Sequence, residues 1–240
     1  MNKLLTKSLI ANFITSLNIF CGFISIIYAA QENFKMAAIF IIIAAIFDTM
    51  DGLIARLLNT SSRFGVELDS LSDVVSFGVA PSFLVYKAYA YQYDYIGIII
   101  SSFLLIAGAL RLARFNILIE DLKTKSDFTG LPIPLSALTI STLIYSYYQD
   151  SKVAEPYNNF IFPLVIILSI LMVSKIKYRA LPKLSSKKFI KKLLIFLILI
   201  IILLSAIVTN GKFLFFVFLS VVLFGILNHI YLLFKKTQIN

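Results

Sequence analysis

Charge is scarce in this 240-residue sequence: Asp, Glu, Lys and Arg make up 14% of it. A soluble domain carries about 25% charged residues and about 45–50% apolar ones, whereas 60% of this chain is apolar. That balance excludes an ordinary soluble domain and places the chain in a bilayer. No polar stretch is long enough for a second, soluble unit, so residues 1–240 read as one transmembrane domain. Cysteine is nearly absent; Cys21 alone forms no internal disulfide and says nothing of redox compartment. The single histidine, His229, lies in an apolar run and reads as a packed, hydrogen-bonded residue. Acids are scarce too, and the apolar runs after Asp73 hold none.

The net charge of +10 would suggest nucleic acid on a soluble protein. Here it reads as topology, and no nucleic-acid partner is expected. Spans need about 20 mostly apolar residues. Eight runs qualify: 9–30, 35–58, 65–89, 95–113, 132–148, 160–174, 193–208 and 213–234. The first follows a basic start like a signal peptide, but it is long and interrupted by Asn12, Thr15, Ser16 and Asn18, so it is read as a retained helix. With both termini cytoplasmic, 18 of the 22 basic residues fall on the cytoplasmic side, eight of them in the run 175–192. Lys35, Lys87, Lys152 and Lys212 remain outside, one per loop. This alternation obeys the positive-inside rule, so the expected fold is an all-α polytopic bundle of eight helices. Asn18 is read as an interhelical hydrogen-bonding residue. Tyr86, Tyr89, Tyr91, Tyr93 and Tyr95 read as an interfacial aromatic belt.

Four aspartates stand against this background. Asp48 and Asp51 are three apart near the end of the second run. Asp69 and Asp73 are four apart near the start of the third. Such spacings put each pair on one helix face, and an antiparallel hairpin brings the faces to one depth. An aspartate at mid-bilayer costs about 2.5–3.5 kcal/mol on insertion scales, so four together approach 10 kcal/mol and repel. Capping a helix or facing interfacial water accounts for one such acid more readily than for two matched pairs. A hard divalent cation, Mg²⁺, Mn²⁺ or Ca²⁺, suits an all-carboxylate site. Gly52 and Ala55 leave room for a ligand near the backbone, and Arg56 offers a fork of donors to phosphate. Together they read as a polyphosphate site at the membrane surface.

Asp48, Asp51, Gly52, Ala55, Arg56, Gly65, Asp69 and Asp73 fill, in order, all eight fixed positions of the 26-residue signature that this stretch resembles, that of the CDP-alcohol phosphotransferase family. The resemblance implies that the four aspartates hold two metal ions, Mg²⁺ or Mn²⁺, and that Asp73 is the catalytic base. It implies donor-nucleotide contacts at Gly52, Ala55, Arg56, Gly65 and Ser62. Asn12 and Thr15 resemble the first-helix element that closes over the cytidine. The runs 16–22, 111–116, 128–134 and 172–178 are similar to the phosphatidylserine synthase branch. That branch implies CDP-diacylglycerol as donor, L-serine as acceptor, a homodimer, and a prokaryotic inner membrane with the site facing the cytoplasm.

Arg111 and Arg114 would then hold the serine carboxylate and Asn116 its ammonium group; as topology anchors they would meet anionic head groups instead. Glycerol 3-phosphate and inositol phosphate are the other acceptors this chemistry admits. A divalent-cation transporter is the reading from another class, since intramembrane carboxylates favour it in general. Residues 1–178 are expected to form the catalytic core. Residues 179–240 are expected to supply a basic loop and two scaffold helices.

Overall fold

The structure is a computed structural model of the chain; it describes residues 2–58, 62–120, 130–149, 152–176, 178, 209 and 211–237. Helix α1 (Asn2–Ala30) and α2 (Phe34–Leu58) form an antiparallel hairpin. The Asn33 side chain caps α2 by accepting from the Met36 N–H at 3.3 Å, satisfying one of the donors a helix start leaves free. Ala29, Ala37, Ala38 and Ala44 are fully buried. Such small residues let helices approach closely where no water drives them together. The Ser25 hydroxyl crosses the contact to the Ala37 carbonyl at 2.8 Å.

The third span is one continuous helix built from three pieces. Helix α3 (Arg63–Asp73) begins at Ser62, whose Oγ accepts from the Gly65 N–H at 3.0 Å. A π-helical segment (Val74–Val79) follows, then α4 (Ala80–Ala88). Pro81 has no N–H to give the preceding turn, and the Ala80 N–H instead reaches back to the Val75 carbonyl. The wider turn rotates every later residue relative to Asp69 and Asp73.

Helix α5 (Asp94–Glu120) runs back along this span, and α6 (Ile133–Tyr147) occupies the centre of the bundle. Nearly all of α6 is buried, and its two threonine hydroxyls bond back to their own helix: Thr139 to the Leu135 carbonyl and Thr142 to the Leu138 carbonyl, both at 2.7 Å. Gly130, at φ 89°, turns the chain into α6. The Gly130 and Leu131 N–H groups donate to Ile176 and Leu171 carbonyls, joining the start of α6 to the end of α7 (Tyr157–Val173). Helix α8 (Lys212–Thr237) packs on α6. Residues Tyr148–Gln149 and Lys152–Val153 pair as a short antiparallel hairpin, which the alternation of apolar runs did not signal.

Five helices among the described residues are long and apolar enough to cross a membrane: Ser8–Ala30, Phe34–Ala55, Arg63–Ala88, Ala90–Ile117 and Lys212–Leu232. Helices α6 and α7 are apolar but only 15 and 17 residues long. The expected span 193–208 lies outside the described residues. The protein is therefore an all-α membrane helical protein.

Gly22 of α1 faces Ser76, whose Cα lies 2.8 Å from where a Gly22 side chain would begin. Gly22→Ala must push α1 from the π-helical segment, since backbone cannot rotate away as a side-chain tip can. We expect a loss of about 1–3 kcal/mol, read as a lower thermal midpoint in detergent. Wild-type stability would mean the two helices have slack at this point.

Candidate active site

Three elements meet at the end of the bundle where α1 begins and α2 ends. Helix α1 brings Asn12 and Thr15, α2 brings Asp48, Asp51, Gly52 and Ala55, and α3 with its cap brings Ser62, Gly65, Asp69 and Asp73. A cavity of about 110 Å³ opens between them. Asn12, Thr15, Asp51, Gly52, Ala55, Ser62, Gly65 and Asp69 line it, with Ala11 and Val66. Six of the seven expected donor contacts thus line one cavity. The seventh, Arg56, lies on α2, and its side chain is outside the described residues. Gly65 keeps this wall open: a side chain there would begin 3.2 Å from Ser62 Oγ and 3.4 Å from Asn12 Oδ1.

The carboxylates of Asp48, Asp51 and Asp69 each offer an oxygen within 4.8 Å of the others. Asp51 is 5% exposed and Asp73 8%. At such separations like charges repel strongly in a low-dielectric setting. Asp51 Oδ2, Asp69 Oδ1 and Asp73 Oδ1 are buried without a hydrogen-bond partner among the described residues. Ionised carboxylates only accept, so these oxygens call for donors or a cation. A hard divalent ion fits the three-carboxylate cluster in charge and donor type. Asp73 stands outside that cluster, one turn deeper on α3, within hydrogen-bond reach of Asp48. The Thr15 hydroxyl donates to the Ala11 carbonyl at 3.1 Å and lies within bonding reach of Asp51. Its one proton serves either acceptor.

The residues expected at the acceptor separate. Arg111 faces Asp73 from α5, and its Nε is buried without a partner. Arg114 turns to the end of α7, donating from Nη1 to the Val173 carbonyl at 3.1 Å and from Nη2 to the Ser174 carbonyl at 3.4 Å. Asn116 ties α5 to α3: its amide donates to Ser70 Oγ at 3.0 Å. Sequence reasoning had no signal for Ser70. Arg56 is the basic residue nearest the acids along the chain, whereas Arg111 is brought to Asp73 from 38 positions after it.

A family model described as CDP-alcohol phosphatidyltransferase matches residues 8–174, a segment that contains every residue of this site. The chain is 37% identical over 234 residues to a CDP-diacylglycerol–serine O-phosphatidyltransferase of Helicobacter pylori strain J99, covering 95% of this chain and 93% of that one. It is 40% identical over 182 residues to an archaetidylserine synthase of Methanothermobacter thermautotrophicus, covering 74% and 73%. A CDP-diacylglycerol–serine O-phosphatidyltransferase of Bacillus subtilis is 39% identical over 165 residues, covering 69% of this chain and 86% of that one.

Proposed function

This chain belongs to the CDP-alcohol phosphatidyltransferase family, and we infer that it transfers the phosphatidyl group of CDP-diacylglycerol to the hydroxyl of L-serine. The products are phosphatidylserine and CMP. The observation that carries this reading is the three-carboxylate cluster opening onto a cavity walled by small and hydroxyl-bearing residues. An ion pathway would need acids along the bundle, and these gather at one end.

In this reading Asp48, Asp51, Asp69 and Asp73 hold two divalent ions, Mg²⁺ or Mn²⁺. Bound there, the ions supply Lewis-acid charge to the pyrophosphate and its leaving group. Asn12, Thr15, Gly52, Ala55, Arg56, Ser62 and Gly65 hold the cytidine diphosphate head, while the acyl chains stay in lipid. Asp73 accepts the proton of the serine hydroxyl. The serine oxygen forms a bond to the phosphorus that carries diacylglycerol, and the bond from that phosphorus to the CMP oxygen breaks. Positioning and charge stabilisation are the chief catalytic terms of such a transfer. The reading extends to an eight-span homodimer in a prokaryotic cell membrane, with both termini and the site cytoplasmic. Residues 1–178 form its catalytic core and 179–240 its scaffold. The deciding experiment is CMP release by purified protein with CDP-diacylglycerol and Mg²⁺ or Mn²⁺. Release should require L-serine and vanish with chelator. Release with glycerol 3-phosphate or inositol phosphate instead would change the acceptor and keep the chemistry. Absence of release in folded protein would return the acids to an ion-pathway role.

In this reading Arg111 holds the serine carboxylate, a role its nearness to Asp73 supports, while Arg114 clamps the end of α7. Arg111→Ala should raise the KM for serine roughly 10- to 100-fold, the worth of a charge-assisted hydrogen-bond pair, with the donor KM little changed. Arg114→Ala should leave both KM values within about threefold and cost about 1 kcal/mol, or roughly 2–4 °C in thermal midpoint. A serine-specific rise in the Arg114 variant would reverse the two assignments.

A further inference from the structure

Asn18 of α1 is fully buried, and neither its Oδ1 nor its Nδ2 has a hydrogen-bond partner among the described residues. The interhelical bond expected at this position is made instead by its main-chain carbonyl, which accepts from Ser76 Oγ at 2.9 Å. One turn earlier the Thr15 carbonyl accepts from Ser72 Oγ at 3.3 Å. These two bonds set residues 15–18 of α1 alongside residues 72–76, the interval that contains Asp73. Asn18 is therefore level with Ser76, on the deeper side of Asp73 and within one turn, about 5.4 Å, of it; a helical side chain leans back toward the start of its own helix, which brings the Asn18 carboxamide toward the level of Asp73.

A carboxamide sealed in an apolar bundle without partners is unfavourable and calls for a reason, such as a catalytic role or a bound water or ion. The needs of the two groups are complementary. Asp73 Oδ1 is a buried acceptor without a donor, outside the three-carboxylate cluster, and Asn18 Nδ2 is a buried donor without an acceptor. Arg111, which lies near Asp73, is in the reading above the guanidinium that holds the acceptor's carboxylate.

We propose that Asn18 is a positioning residue for Asp73: with donor and metal bound, its carboxamide bonds the Asp73 carboxylate, directly or through water, and keeps it turned to the acceptor hydroxyl. The assignment rests on the transferase reading above. The position suits the task because α1 also supplies Thr15 to Asp51, so one rigid helix would order both the donor side and the base. A misplacement of about 1 Å in such an array costs on the order of 100-fold in rate.

The test compares Asn18→Leu, Asn18→Ser and Asn18→Ala with wild type, reading kcat, both KM values, metal-dependent CMP binding and thermal midpoint. In Asn18→Leu we expect kcat to fall roughly 10- to 100-fold, with the KM values and CMP affinity within about threefold. Asn18→Ser, which keeps a hydroxyl donor, should turn over several-fold faster than Asn18→Ala. Wild-type kcat in the Leu variant would overturn the assignment. So would equal kcat in the Ser and Ala variants, a comparison that stands even if the Leu variant does not fold. A parallel loss of kcat, CMP binding and midpoint in all three would leave Asn18 a packing residue only. Silence of the folded wild-type protein would overturn the transferase reading, and this assignment with it.

Discussion

Asp73→Asn will cut CMP release by on the order of 10³-fold, yet much of the metal-dependent CMP binding will remain. Asparagine keeps the size and shape of the side chain but cannot take a proton from the acceptor. The geometry says why the two effects separate. Asp48, Asp51 and Asp69 form the compact cluster, and Asp73 lies a turn deeper, near Asp48 and facing Arg111. The deeper carboxylate is set back from the cavity wall that would hold the nucleotide, where the base for an incoming hydroxyl belongs. Turnover by the purified variant and calorimetry of CMP with Mg²⁺ make the check. Full turnover would remove Asp73 as the base. Loss of turnover and binding in proportion would make it a metal ligand first.

Asp51→Asn will fail differently. Asp51 belongs to the cluster, lines the cavity, and lies within reach of the Thr15 hydroxyl. Removing its charge weakens the site for a hard cation, whose affinity depends on the number of charged ligands. We expect metal-dependent CMP binding to weaken by at least about 100-fold and turnover to fall with it. Raising the Mg²⁺ or Mn²⁺ concentration should restore part of both, because the defect is occupancy and not proton transfer. Titrating CMP affinity against metal concentration reads this directly. An unchanged metal dependence would show that Asp48 and Asp69 suffice and that Asp51 serves only the nucleotide.

The contrast between these two variants depends on depth along a helix, which spacing alone encodes. Residues three or four apart share a face, so the pairs 48/51 and 69/73, together with the antiparallel turn between them, place four acids at one end of one hairpin. The membrane-helical class follows equally directly from the scarcity of charge and the length of the apolar runs. The pairing of Tyr148–Gln149 with Lys152–Val153 was not legible, because two paired residues per strand leave no periodic pattern. Nor was the π-helical segment. It arises where Pro81 withholds a donor inside a long apolar run, and sequence alone does not say whether a helix will kink, break or widen there.

By itself the sequence determined a membrane helical chain and a set of acids beside small residues that could hold a divalent cation, because composition and helical period are local properties. Only the tertiary structure decided which residues of other helices join that set. Arg111 and Arg114 are three apart and near one face, so spacing cannot choose between them; the packing of α5 turned Arg111 to Asp73 and Arg114 to the end of α7. Asn18 reads as any interhelical polar residue until the bonds to Ser72 and Ser76 set the register of α1. The reason is common to both. The rotation of a helix about its axis is set by close contacts such as Gly22 on Ser76 and by the extra residue of a widened turn, and those contacts exist only when the helices are packed.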